Sequence, residues 1–240
     1  MPEWVKIILR PIYFRVRHWR GNQGVKIHEF TIDGILREYG SVYTFVLNAA
    51  SPPEFIAGQY GHVIAPGAII DNHHVQHISF ANAPHEGCFL ISMDLASGSR
   101  FKRKFKKAVI GDRLGIYAIK GDFVLKEADW ERPVLLIAGG IGIAPVRSLA
   151  ADFLSKGKSN WSLVYAGKGY LYQDFWSRVT DKVSFVKRDT LLPAIEAALK
   201  KEPEALIYLC GAGGFVRDVK QYLGQAGIDP ASIHTEDFSY

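Results

Sequence analysis

The sequence predicts an antiparallel six-stranded β-barrel followed by an α/β domain with a doubly wound parallel sheet. Three observations predict it. From about Val25 to Leu125, short runs of β-forming residues recur between turn residues. From Pro133 onward, wholly apolar runs alternate with segments of helical period. Two glycine-rich turns, Gly139–Pro145 and Cys210–Gly214, sit where a buried strand should hand over to a helix.

The first half reads as strands at Lys26–Ile32, Ser41–Leu47, Gln59–Ile64, Gln76–Asn82, Cys88–Leu95 and Arg113–Ile119. Turn residues such as Ser51-Pro52-Pro53, Pro66-Gly67, Asp71-Asn72 and Gly121-Asp122 punctuate them. Six short strands at this spacing predict a barrel or sandwich, and one helix is expected over Ser99–Lys107. The second half opens with the strand Val134–Ala138. Val146, Leu149, Ala150, Phe153 and Leu154 then recur at helical spacing, with Pro145 in the first turn and Lys156-Gly157 at the end. Strands follow at Ser162–Ala166, Val183–Val186 and Ala205–Leu209, with a helix at Leu191–Lys200 before the last of these. Phe215, Val216, Val219, Tyr222 and Leu223 form another apolar stripe, and a short strand is expected near Ile233. The boundary falls in Lys126–Arg132, giving domains over 25–128 and 129–240 behind a basic N-terminal arm over 1–24.

Bulk properties narrow the function classes. Hydrophobic residues are 48% and charged residues 22%, an ordinary globular composition. A net charge of +5 admits an anionic ligand or acidic partner without requiring nucleic acid. Cys88 and Cys210 are the only cysteines, too few for a disulfide framework or an iron–sulfur cluster, and fit a reducing, cytoplasmic setting. No apolar run reaches the roughly 18 residues of a membrane span, although the arm carries Trp4, Ile7 and Ile8 among arginines, a composition compatible with membrane-surface contact. Five of the eight histidines fall between His62 and His85. The H-H-x-x-H spacing of His73, His74 and His77 lacks a matching carboxylate or thiolate set, so no metal site is expected.

The first glycine turn runs G-x-G-x-x-P from Gly140 to Pro145. Gly139, Gly140 and Gly142 leave room for a pyrophosphate, and free N–H groups at the helix start favour negative charge. Gly211 and Gly213 offer the same at the second turn. After the second strand of this domain, where an acid would bind ribose hydroxyls, the chain has Lys168, with Arg188 after the next strand. Cations suit a 2′-phosphate, so NADPH is expected over NADH.

Six motifs in register carry a resemblance. Phe55–Tyr60, Ser79–Pro84, Gly121–Phe123, Gly139–Pro145, Cys210-Gly211 and Glu236–Phe238 resemble, in that order, the ferredoxin–NADP reductase superfamily over roughly residues 30–240. The resemblance implies FAD on the barrel, NAD(P)H on the α/β domain, and hydride transfer in the crevice between them. It implies that Ser79 bonds near flavin N5, Cys210 lies beside the nicotinamide, Glu236 completes that pocket, and Phe238 or Tyr240 covers the flavin ring. The family's R-x-Y-[ST] flavin motif aligns with Gln76-His77-Ile78-Ser79, which has neither the arginine nor the tyrosine. Phe80 and Asn82 continue the form found in a branch with H-P-F-[ST]. The second flavin segment is Ser97-Gly98-Ser99-Arg100, where the resemblance implies that Arg100 or Lys102 stands in for the missing cation. The implied activity is a reductase passing electrons to a separate acceptor, such as a ferredoxin-like protein. The alternative is a flavin-poor nucleotide-sensing subunit of a larger redox complex.

Overall fold

In the computed structural model, residues 26–68 and 70–238 are described. The 1–24 arm and Tyr240 lie outside the described residues.

Six strands form the first sheet: β1 (His28–Tyr39), β2 (Val42–Asn48), β3 (Tyr60–Ile64), β4 (Val75–Ser79), β5 (Phe89–Asp94) and β6 (Arg113–Lys120). They are antiparallel in the order β4-β3-β6-β1-β2-β5. The two edges meet through a Phe80–Ile91 bridge and the Ala81 N–H to Leu90 carbonyl bond of 2.8 Å, which curls the sheet into a barrel. Phe30, Phe45, Phe80, Phe89 and Ile116 fill it. Helix α1 (Arg100–Lys106) lies between β5 and β6. Ser99 caps it by accepting the Lys102 N–H, and Phe101 and Phe105 bury one face into the barrel core while six cations over 100–107 keep the rest wet.

The second sheet is wholly parallel: β7 (Val134–Gly139), β8 (Trp161–Ala166), β9 (Val183–Val186), β10 (Leu206–Gly211) and β11 (Ile233–Asp237), in the order β11-β10-β7-β8-β9. Its connections are the helices α2 (Ile143–Ser155), α3 (Gln173–Trp176), α4 (Leu191–Lys201) and α5 (Gly213–Gln225). Alternation along β7 divides the layers. Leu136 and Ala138 join the core shared with α2, whereas Leu135 and Ile137 join the core under α4 and α5. Helices thus cover both faces, as continuous apolar strands require. The chain runs from β7 outward to β9 and then returns to the other side of β7 at β10. That reversal opens a crevice at the carboxyl ends of β7 and β10, where both glycine turns sit.

The α2-side core continues into the barrel through Ala57, Ala81, Phe123 and Leu125. Buried polar ties fix this contact. Arg147 of α2 forms a bidentate pair with Glu86 at 2.7 and 2.8 Å and donates to the Ala81 carbonyl at 2.9 Å. Its guanidinium also lies 4.3 Å from the Phe175 ring centre. Ser148 donates to the Asn82 carbonyl at 2.6 Å. The Tyr172 hydroxyl bonds Ser92, and Glu38 accepts the Tyr172 N–H.

Candidate functional site

Strand β4 sets one wall of the crevice, and its register corrects the motif alignment. Directly opposed residues of an antiparallel pair point to the same side. Gly61 faces Ile78, and a Cβ on Gly61 would meet Ile116 and the Phe80 ring at 2.7 and 2.9 Å. That side is therefore the barrel interior. Ile78 packs against the core, and Gln76 shares its side with the fully buried Val63. Neither side chain occupies the outer face, where the aligned motif would carry its arginine and tyrosine. Phe80 is also fully buried, so only its backbone is placed to meet a ligand. The physical reason is the apolar period of two in Ile78 and Phe80, which turns His77 and Ser79 outward.

The outer face carries an aromatic platform across three strands. His62 opposes both His77 on β4 and Tyr117 on β6. The His62 and His77 rings lie 4.1 Å apart, His62 stacks on Tyr117 at 5.0 Å, and Tyr60 stacks on His77 at 5.3 Å. A bulge in β6 opposite Tyr60–His62 places Ala118 at a φ of 47°, a left-handed conformation uncommon for a residue with a Cβ. Burial lowers the His62 and His77 pKa values first. His62 is lowered further by His77 and then Lys120, with the Ala118 backbone opposing, and His77 is lowered further by Lys120. Both rings are thus held neutral at physiological pH. His62 Nδ1 is buried without a hydrogen-bond partner.

The platform meets the second domain through acids. Ser79 opposes Tyr60 and is 6% exposed. Burial, then Glu236, then Asp122 raise the Tyr60 hydroxyl. Glu236 opposes Cys210 in the β10–β11 pair, and burial, then Asp237 and Asp122, raise its carboxyl. The Cys210 thiol is fully buried, and burial, then Glu236 and Asp237, push it well up, so it stays protonated. Phe238 donates its N–H to the Gly211 carbonyl at 3.0 Å and packs against the same core. Cys210, Glu236 and Phe238 thus sit together at the ends of β10 and β11, with Glu236 in electrostatic reach of Tyr60, the residue opposite Ser79.

The glycine turns are shaped partly by protein. The Phe215 ring lies where Cβ atoms of Gly139 and Gly211 would be, at 2.7 and 2.6 Å. A Cβ on Gly142 would fall inside contact distance of the Cys210 carbonyl. These three glycines answer to packing. Gly140 differs: its φ is 57° and the space beyond it is open. Pro145 is buried in the first turn of α2, and Gly213 opens α5. Asn82 is structural, accepting the Leu90 N–H at 2.8 Å.

The remaining candidates lie apart. Gly98 faces open space, Ser99 is engaged as the α1 cap, and Arg100 is exposed. Lys168 is exposed after β8, and Arg188 is 93% exposed with a 3.5 Å contact to Asp218. His74 bonds Asp71 while His77 stacks on Tyr60, so the H-H-x-x-H histidines turn to different neighbours. Sequence reasoning left Tyr60, Asp122 and Phe215 out of the site. The first two stand inside motifs already singled out, and Phe215 follows the second glycine turn by one residue.

No protein-family model matches the chain. Flavohemoprotein A of Dictyostelium discoideum is 23% identical over 238 residues, covering 88% of this chain and 60% of that protein. The toluate 1,2-dioxygenase electron transfer component of Pseudomonas putida is 27% identical over 203 residues, covering 77% of this chain and 59% of that protein. The chain thus spans about 60% of the length of these curated relatives. Among solved structures, the flavohem-like FAD/NAD-binding domain of nitric oxide dioxygenase from Vibrio cholerae superposes with a TM-score of 0.70 at 25% identity, covering 88% of this chain and 98% of that one. Phthalate dioxygenase reductase superposes with a TM-score of 0.74 at 21% identity, covering 90% and 68%. The six-stranded antiparallel sheet, the five-stranded parallel sheet and these similarities agree on one two-domain fold, that of ferredoxin reductase-like FAD/NAD-binding domains.

Proposed function

We propose that this chain binds FAD against the barrel and NAD(P)H on the parallel sheet, and passes electrons from the reduced nucleotide to a separate redox protein. The observation that supports the reading is that Glu236, opposite Cys210 at the end of the parallel sheet, acts electrostatically on Tyr60, opposite Ser79 on the barrel sheet. A bound flavin supplies the exchange between a two-electron donor and one-electron acceptors. The protein's part is orientation and exclusion of water.

The residues present fit a flat ring. Tyr60 and His77 give an aromatic wall on the barrel, and Phe238 stands on the side of the second domain. Ser79 offers a hydroxyl to a polar edge of the ring. Cys210 is a small neutral wall rather than a nucleophile, because its thiol remains protonated. Glu236, held above the ordinary carboxyl range, keeps a proton to a higher pH than a solvated glutamate. Gly98 and Arg100, at the start of α1, are the residues we assign to a diphosphate, in place of a cation on β4. Lys168 and Arg188 favour NADPH by charge.

The name of the Pseudomonas putida relative, an electron transfer component, supports a protein acceptor. The test is the purified protein's visible spectrum with and without added FAD, combined with Ser79→Ala. A retained flavin that Ser79→Ala reduces more slowly supports the reading. A protein that stays colourless after reconstitution supports the nucleotide-sensing alternative, which the absence of a β4 cation favours.

A further inference from the structure

We propose that the end of the barrel opposite the crevice docks onto an anionic lipid bilayer. The observation is a concentrated charge beside bare aliphatic side chains. Residues 101–111 hold five cations and no acid, whereas the whole chain nets only +5. Arg103, Lys106 and Lys107 are exposed. Immediately after them, the turn following α1 presents Val109 and Ile110 at 60% and 65% exposure. The neighbouring loop adds Ile70 at 40%, and Lys104 reaches across to the Gly67 carbonyl, so loop and helix share one end of the barrel.

The turn is fixed rather than loose. The Asp112 carboxylate accepts the Val109 N–H at 3.1 Å, and the Asp112 N–H bonds the Val109 carbonyl. Asp112 thereby spends its charge under the turn, 7% exposed. Asp94 is the acid whose carboxyl the α1 lysines Lys102 and Lys106 help to lower, and it is engaged with Ser41 and the Ala96 N–H. Arg113 pairs with Glu29. Against the exposed Asp33, which follows Ile32 beside Gly111, and Asp71, which pairs with His74, the five cations leave the patch net positive, with two adjacent aliphatic side chains at its tip. That combination suits a surface offering both negative headgroups and an apolar layer beneath them.

Position separates a bilayer from an electron acceptor. β6 begins next to this turn and ends at the crevice, so its eight residues span about 26 Å. An acceptor seated on Val109 and Ile110 would sit a barrel-length from the proposed reaction centre. A membrane there leaves the crevice free, and the proposal holds whether or not the redox reading does.

The test is cosedimentation of the full chain with vesicles of neutral phosphatidylcholine, and with vesicles carrying about 30 mol% phosphatidylserine. Binding is expected to the anionic vesicles alone, weakening as salt rises from about 0.1 M to about 0.5 M. Lys106→Glu/Lys107→Glu should lower the partition coefficient by more than tenfold, at about fivefold for each cation removed and more for reversal. Val109→Asp/Ile110→Asp should lower it by at least tenfold, and the milder Val109→Ser/Ile110→Ser by severalfold, with circular dichroism unchanged. Anionic-vesicle binding that all three variants retain overturns the proposal and places the affinity elsewhere in the chain. Absence of vesicle binding, with salt-sensitive capture of an acidic redox protein that Lys106→Glu/Lys107→Glu abolishes, overturns it in favour of a protein partner.

Discussion

Gly142 shows how one residue type serves packing where a ligand was expected. A methyl group there would press on the Cys210 carbonyl, a backbone atom that cannot swing aside. Gly142→Ala is therefore expected to destabilise the fold by about 1–3 kcal/mol, read as a lower midpoint in thermal unfolding. An unchanged midpoint would restore a ligand-centred role for this glycine. Cys210 gives the complementary case. Its protonated thiol contributes shape, so Cys210→Ala should slow hydride transfer while keeping flavin and global stability within about 1–2 kcal/mol of wild type. Single-turnover rates equal to wild type would remove Cys210 from the pocket. Ser79, Cys210 and Glu236 are named by motifs that stand beside predicted strand ends. Phe215 is not, because its contacts depend on two glycines, Gly139 and Gly211, brought together only by the parallel β7–β10 pair.

At the scale of elements, period and punctuation located most strands. Val183–Val186 was read to its ends, and the β7, β8 and β10 cores were plain from their continuous apolar runs. Strand β1 was expected over Lys26–Ile32. It continues to Tyr39 because Asp33-Gly34 forms a bulge against Val46, and the chain reverses at Gly40 with a φ of 50°. Helix α3 carries little periodic signal. Tertiary contacts hold it: Tyr172 adopts a left-handed conformation and Trp176 Nε1 donates to the Leu171 carbonyl. In β4 the outward polar residues His77 and Ser79 were readable, but the family motif drew attention to Gln76 and Ile78. The platform makes a pH prediction. His62 and His77 have pKa values below the ordinary imidazole value. Their contribution to stability is present above the unfolded value and lost as pH falls through it toward the folded values. Flavin release, followed by fluorescence, should rise below about pH 6. His77→Phe should shift that onset downward, and identical onsets in both proteins would remove His77 from the platform.

Across the whole molecule, the Arg147–Glu86 pair joins the domains. Burial alone would raise the Glu86 carboxyl, but the Arg147 hydrogen bonds and charge bring it below its ordinary value. The pair therefore stabilises the fold above the unfolded carboxyl value and loses its contribution as pH falls through the lower folded value. Arg147→Ala should cost about 3–5 kcal/mol, since it leaves Glu86 without its partner in a largely buried site. Chemical denaturation should show this loss at neutral pH and little further difference at strongly acid pH. The order of an antiparallel sheet followed by a parallel one was legible from strand and helix periodicity, whereas the polar interface was not, because Glu86 and Arg147 lie 61 residues apart in unrelated elements. The direct measurement is anaerobic rapid mixing of the FAD-reconstituted protein with NADPH and with NADH, following the flavin band near about 450 nm. The band should bleach, faster with NADPH than with NADH. A bound flavin whose band neither nucleotide bleaches would contradict the account.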